Sequence, residues 1–311
     1  MAALRSPDLI QTDFRFQKKR TDPSPETRSL LISTLTAERL TSRRAALERI
    51  TRLAVTRLPD RGVCDLVADL IQPWSVAITM EVLDAGWARR PAYSFLARNA
   101  PGNLTASPAS SGVSGLLRSK AAGWLLRRMF RGPAAMARRS LFLGLSQTLP
   151  AFLTHAWLTL LQNPHQMARL RLDPSLMLGA VEELLRHAGH VQTLYREATA
   201  PLMTGKALIA AGDRVILQMA SANRDPARFA DPHRLDLGRR VVSHVALGAG
   251  PHSCAGAATV RVLASMATGA FLARWESVRL CGEVSWNRGP TLSWPVFLPV
   301  ALGARPDVMD L

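Results

Sequence analysis

The stretch HVALGAGPHSCAGAATVR, His244 to Arg261, sets one cysteine between glycine-rich backbone and the start of an alanine-rich helix. Gly248 and Gly250 flank a single residue, His252 follows two later, Cys254 two after that, and Gly256 two further on. Glycines at this spacing permit positive φ and let the backbone pass close to a flat ligand with no Cβ in the way. At the entrance of the helix AGAATVRVLASMA, Cys254 meets the unpaired N–H groups and the dipole of a first turn, which favour a thiolate over a thiol. A thiolate held there is a metal ligand or a nucleophile. A nucleophile needs a base within reach, and His252, two residues away on a turn, need not face the sulfur.

The rest of the chain frames that loop. With 311 residues, 48% hydrophobic and 20% charged, it has the composition of a globular protein with a full-sized core. Cys64, Cys254 and Cys281 lie far apart with no CxxC or His-rich pairing, so neither a disulfide framework nor a zinc site is expected, and a reducing, cytoplasmic setting fits. The opening residues hold no apolar run long enough for a signal peptide. The most apolar window, Leu141 to Leu161, carries Ser, Gln, Thr, Pro and His, and reads as a buried helix rather than a membrane span. The formal charge of +16 is mostly arginine, scattered from Arg5 to Arg305 without aromatic interleaving. That pattern predicts a solvated basic surface, not a nucleic-acid footprint, and is compatible with an acidic protein partner.

Apolar spacing predicts helices over 26–57, 64–98, 116–130, 134–162 and 175–187, with Pro73 starting or kinking one helix and Pro150 interrupting another. Ala100 to Gly115, rich in Gly, Pro, Ser and Ala, reads as a mobile connection too short to separate domains. Short extended pieces at 193–198, 206–209 and 214–217 predict a small sheet beside the helical body. One more helix spans 255–273, and strand-like runs alternate with turns to the end. The expected architecture is one domain over 1–311, mainly α with a small β region.

LGAGPHSCAG resembles the haem-binding signature of the cytochrome P450 superfamily, F-G-x-G-x-[HR]-x-C-x-G, with Leu247 in place of the first Phe. The resemblance, bacterial in type, implies a P450-like fold, haem b as cofactor and Cys254 as the proximal ligand of its iron. It extends to VEELLRH, where Glu183 and Arg186 match the Glu-x-x-Arg helix, and to RFADPHRLDLGR, which supplies the third member of that set at Arg234. Arg196 in YREATAP stands where bacterial members place an arginine on a haem propionate, with His252 as the second propionate residue. In such a protein the substrate is a small organic molecule near Leu143 to Thr148, and electrons come from an acidic ferredoxin-like partner.

Three departures mark the chain. The oxygen-activating [AG]-G-x-[DE]-T pattern aligns with LGLSQT, which puts Ser146 at the acid position, Gln147 at the threonine position and Thr148 one place late. Amide and hydroxyl groups there position water rather than supply a proton, which also leaves room for peroxide-driven chemistry. In DPSPETRSLL, resembling D-P-P-x-H-T-R-x-R, Glu26 replaces the propionate-binding histidine and Leu30 the arginine. The chain also reads as shortened, without the family's first helix, opening strands or the lid between DFRF and DPSPE. These departures carry an alternative: a P450-like auxiliary protein that binds no haem and activates a glycosyltransferase.

Overall fold

The computed structural model describes residues 2–12, 25–100, 113–240 and 243–303. The expected missing lid, between DFRF and DPSPE, and most of the Ala100 to Gly115 connection lie outside the described residues.

Helix α1 (Ala2–Arg5) leads into strand β1 (Leu9–Gln11), and the 26–57 periodicity resolves into α2 (Pro25–Thr34), α3 (Ala37–Ser42) and α4 (Arg44–Thr56). Thr36 causes the first break. Its extended backbone and its side chain, which accepts from the Arg39 N–H, make it an N-cap. Residues 64 and 65, expected to be helical, instead close strand β2 (Gly62–Asp65). The Asp65 side chain accepts from the N–H groups of Val67 and Ala68 and starts a π-helical turn, Leu66–Ile71, that runs into α5 (Gln72–Val82). Pro73 lies inside this continuous run, where it has no N–H for the Asp69 carbonyl four residues back, and just before it the Gln72 N–H reaches five residues back to the Val67 carbonyl.

Helices α6 (Arg90–Asn99) and α7 (Val113–Met129) precede one long run: α8 (Ala135–Leu143), a π-helical segment over Gly144–Thr148, and α9 (Leu149–Gln162). Pro150 does not break this run. It has no N–H for the Ser146 carbonyl four residues back, and the helix widens just upstream, where the Leu149 N–H reaches five residues back to the Gly144 carbonyl. Then come α10 (Pro164–Leu172), α11 (Met177–His187), β3 (Thr193–Ala198), β4 (Leu202–Thr204), β5 (Ala207–Ile209), β6 (Arg214–Gln218), α12 (Met219–Ala222), α13 (Ala257–Arg274), β7 (Ser277–Leu280), β8 (Ser285–Arg288), β9 (Ser293–Phe297) and β10 (Pro299–Gly303).

All strand pairs are antiparallel. One sheet has the order β1-β3-β6, a second β2-β10-β7, and β4-β5 and β8-β9 are two-stranded. Both larger sheets join segments remote in the chain, which local periodicity cannot signal. The core is built on α9, whose residues Leu149 to Thr154 and Ala156 to Leu160 are all buried. Trp157 stacks on Phe271 of α13 with centroids 4.3 Å apart, and its indole N–H donates to Thr268 Oγ1 at 3.1 Å. Among the described residues no helix is long and apolar enough to cross a membrane.

His190 is buried in this core and His155 is half-buried. His155 stands edge-on to Trp286, and His190 lies beside Phe152. Burial, helped by neighbouring positive charge, pulls His155 down to about 4 and His190 to about 3. An unfolded histidine titrates near ~6.5, so below that pH the unfolded chain binds more protons than the folded one and stability falls. Between pH 6.5 and 5 the expected loss is about 2 kcal/mol per histidine. Urea denaturation at pH 7 and pH 5 checks this, and His190→Gln should remove about half of the difference.

Candidate haem-thiolate site

Two glycines of the cysteine loop take the positive φ expected of them. Gly248 and Gly250 have φ of +71° and +72°. A Cβ on Gly250 would lie 2.6 Å from Arg5 Cα, and one on Gly248 would lie 3.3 Å from the His252 carbonyl oxygen. They close the turn on itself and admit the backbone of α1. The turn is locked by the Cys254 N–H, which donates to the Leu247 carbonyl at 2.8 Å.

Cys254 precedes α13, with Gly256 as its N-cap residue. Its side chain is exposed, yet desolvation raises its pKa above the ordinary thiol value, against the lowering effects of the Gly256 N–H, Arg261 and Arg28. The expectation that the helix entrance alone favours the thiolate is therefore corrected: burial outweighs it in the free thiol. A metal ion deprotonates a coordinating thiol outright, so one exposed sulfur, an N–H donor and two nearby cations suit a thiolate-ligated iron.

Arg196 and His252 come together through a residue the sequence reading passed over. Arg196 on β3 is buried and pairs across the sheet with Gln11 of β1, whose side-chain nitrogen lies 3.4 Å from His252 Nδ1. The buried guanidinium, whose Nη1 donates to the Tyr195 carbonyl at 2.9 Å, suits a carboxylate such as a haem propionate. Glu26 is exposed on α2. Two residues on, Arg28 donates through both terminal nitrogens to Ser253, to its carbonyl and its hydroxyl, each at 3.0 Å. Its signal was present, since Arg28 occupies the arginine after the replaced histidine in the motif.

A second missed set lies on α11. Glu182 accepts from Arg261 Nε and Nη2 at 2.5 and 2.9 Å, and lies 3.1 Å from His244 Nε2. The Ala246 N–H donates to His244 Nδ1 at 3.3 Å, so Nε2 carries the proton that faces Glu182. Burial acts to raise the Glu182 pKa, but the hydrogen bonds from His244 and Arg261 outweigh it and hold the carboxyl at about 2.

Glu183 and Arg186, each 3% exposed, form a bidentate pair at 2.7 and 2.8 Å. Arg234 is not its third member. Its side chain is exposed, and only its carbonyl takes part, accepting from Arg186 and Arg239. The side chain that reaches Glu183 is Arg239, with Nε 3.2 Å from Oε1. The segment turns between the two arginines, with the Arg239 N–H on the Asp236 carbonyl at 2.9 Å and the Asp236 N–H on Glu183 Oε1, and spacing alone did not reveal this turn.

The oxygen-activation positions are committed to backbone carbonyls. Ser146 is fully buried and donates to Phe142 at 2.7 Å, while Thr148 donates to Leu143 at 3.3 Å across the π-helical turn. Gln147 donates to Ala100 at 2.7 Å and Ala97 at 3.4 Å, closing the end of α6.

The cytochrome P450 family profile matches residues 174–278. Over 310 aligned residues the chain is 30% identical to cytochrome P450 107B1 of Saccharopolyspora erythraea, covering 91% of this chain and 76% of that protein. It is 38% identical over 158 residues to the cytochrome P450 monooxygenase PikC of Streptomyces venezuelae, half of this chain and 38% of PikC. Its fold superposes on the LnmA cytochrome P450 hydroxylase from the leinamycin biosynthetic pathway of Streptomyces atroolivaceus with a TM-score of 0.79 at 25% identity, covering 96% and 87% of the two chains. The chain belongs to the cytochrome P450 family.

A hydrogen bond to a charged group contributes about 1.5–3 kcal/mol, and Arg239 supplies one to a buried Glu183 carboxylate that keeps its Arg186 pair. Arg239→Leu should therefore lower unfolding free energy by about 1.5–3 kcal/mol, whereas Arg234→Ala, which keeps the carbonyl, should change it by less than about 0.5 kcal/mol. Urea titration of both variants checks the assignment.

Proposed function

We propose that this protein is a haem-thiolate monooxygenase that oxidises a small organic molecule of the secondary-metabolite type, with electrons from an acidic ferredoxin-like protein. The observation that carries this reading is the exposed Cys254 sulfur beneath the Gly256 N–H, in a loop fixed by Arg28 on one side and flanked by Arg261 on the other. Names of relatives support the substrate class, since LnmA belongs to the leinamycin pathway.

Bound haem b supplies the reductive activation of dioxygen and the transfer of one oxygen atom to substrate. Cys254 would hold its iron, and Arg196 and His252 its propionates, with Gln11 fixing the imidazole between them. The Gly256 N–H and the charges of Arg28 and Arg261 stabilise negative charge on sulfur. Ser146 and Thr148, already donating to carbonyls four and five residues back, retain acceptor lone pairs and order water rather than act as acids. Gln147 holds the end of α6 against the same segment.

The test is the ferrous carbon monoxide spectrum of the purified protein after haem loading. The red-shifted Soret band of thiolate ligation is expected in the parent and lost in Cys254→Ser, with Arg196→Ala retaining less haem on gel filtration. A colourless protein that takes up no added haem and elutes with a glycosyltransferase would instead support the auxiliary reading. Turnover with peroxide but not with dioxygen and reductant would mark the peroxide-driven variant.

A further inference from the structure

From Ala85 to Leu172 the chain carries no aspartate or glutamate, but twelve arginines and lysines. The centre of this stretch is α6 and α7, which pack on each other. Arg89, Arg98, Arg118, Lys120, Arg127 and Arg128 are exposed around this pair, and none of them forms an ion pair among the described residues. The charge is also not free of aromatic groups, contrary to the sequence expectation. Trp87 is 59% exposed with the Arg90 guanidinium 5.4 Å from its ring centroid, and Trp124 is 57% exposed with Arg128 at 5.4 Å. Leu117, two turns before Trp124 on α7, is 59% exposed.

Exposed tryptophan beside arginine is the composition of binding hot spots, and a one-sign field steers an opposite-signed partner. We propose that the α6–α7 face is a docking surface for an acidic protein, whose carboxylates pair with the guanidinium forks and whose apolar side chains pack on Trp87, Trp124 and Leu117. A carboxylate partner is favoured over a lipid surface because each ring already carries an arginine, so inserting it among acyl chains would bury an ion. Five of the six cations are arginines, the side chain that matches carboxylates bidentately.

This face is separate from the cysteine side. Helix α6 packs on α5, α7 and the π-helical segment, whereas α13 packs on α3, α4, α9 and α11. A partner on α6–α7 would touch the helix whose last carbonyls Gln147 holds, and would act on the substrate side. The inference stands whether or not haem is bound.

The experiment uses the full chain and three probes: poly-L-glutamate, phosphatidylcholine–phosphatidylglycerol vesicles, and duplex DNA. Since a chain of this net charge attracts any polyanion, two charge-matched variants are compared: Arg118→Glu/Arg127→Glu/Arg128→Glu, and Arg49→Glu/Arg52→Glu/Arg57→Glu around α4. The expected result is that polyglutamate affinity falls about tenfold or more in the first variant and less than about threefold in the second. A fluorescence change on binding should also be lost in Trp124→Phe. Equal losses in both variants would overturn the proposal. So would α7-dependent binding of vesicles or DNA that is tighter than binding of polyglutamate.

Discussion

Glu183 and Arg186 are almost completely buried, and such a pair holds only when nearly every remaining donor and lone pair is used. The fold meets this demand from one segment. Arg186 also donates to the carbonyls of Asn223, Pro232 and Arg234, while Glu183 accepts from the Asp236 N–H and from Arg239. The stretch from 223 to 239 is thereby fastened to α11. Asn223 then carries the constraint onward, since its side-chain oxygen accepts the Val245 N–H at 2.8 Å, two residues before the Leu247 carbonyl that receives the Cys254 N–H. The position of the proposed iron ligand thus rests on the satisfaction of one buried charge cluster.

Consecutive glutamates on α11 serve different networks because neighbouring helical residues point about 100° apart. Glu183 faces the buried cluster, and Glu182 faces Arg261 on α13 and His244 before the cysteine loop. One helix therefore braces both ends of the loop. Arg28 adds a clamp from α2 on Ser253, so the residue before the sulfur is held from a third element. Rigid placement of a ligand from several directions is what a site needs when its chemistry depends on one bond.

On the long helix, Pro150 removes one N–H and the backbone answers with a π-helical turn. Ser146, Gln147 and Thr148 fall within it, and each donates to a nearby carbonyl. These side chains thus hold the local backbone and the end of α6.

The sequence determined most of the helices, the three interior strands near 193–217 and the cysteine loop, because those rest on local periodicity, turn residues and a short motif. It also named Glu183, Arg186, Arg196 and His252 through short motifs, although His252 meets Gln11 from the far end of the chain. Tertiary structure decided what depends on residues far apart in the chain. Strand β2 formed where helix was expected because β10 pairs with it, and β1 formed because β3 does. Arg239 displaced Arg234 because the turn at 236–239 brings its guanidinium to Glu183. Gln11 and Glu182 entered the site only through partners more than sixty residues away, and no local pattern encodes such a contact, whereas Arg28 stood in a motif whose partner, Ser253, only the tertiary structure revealed.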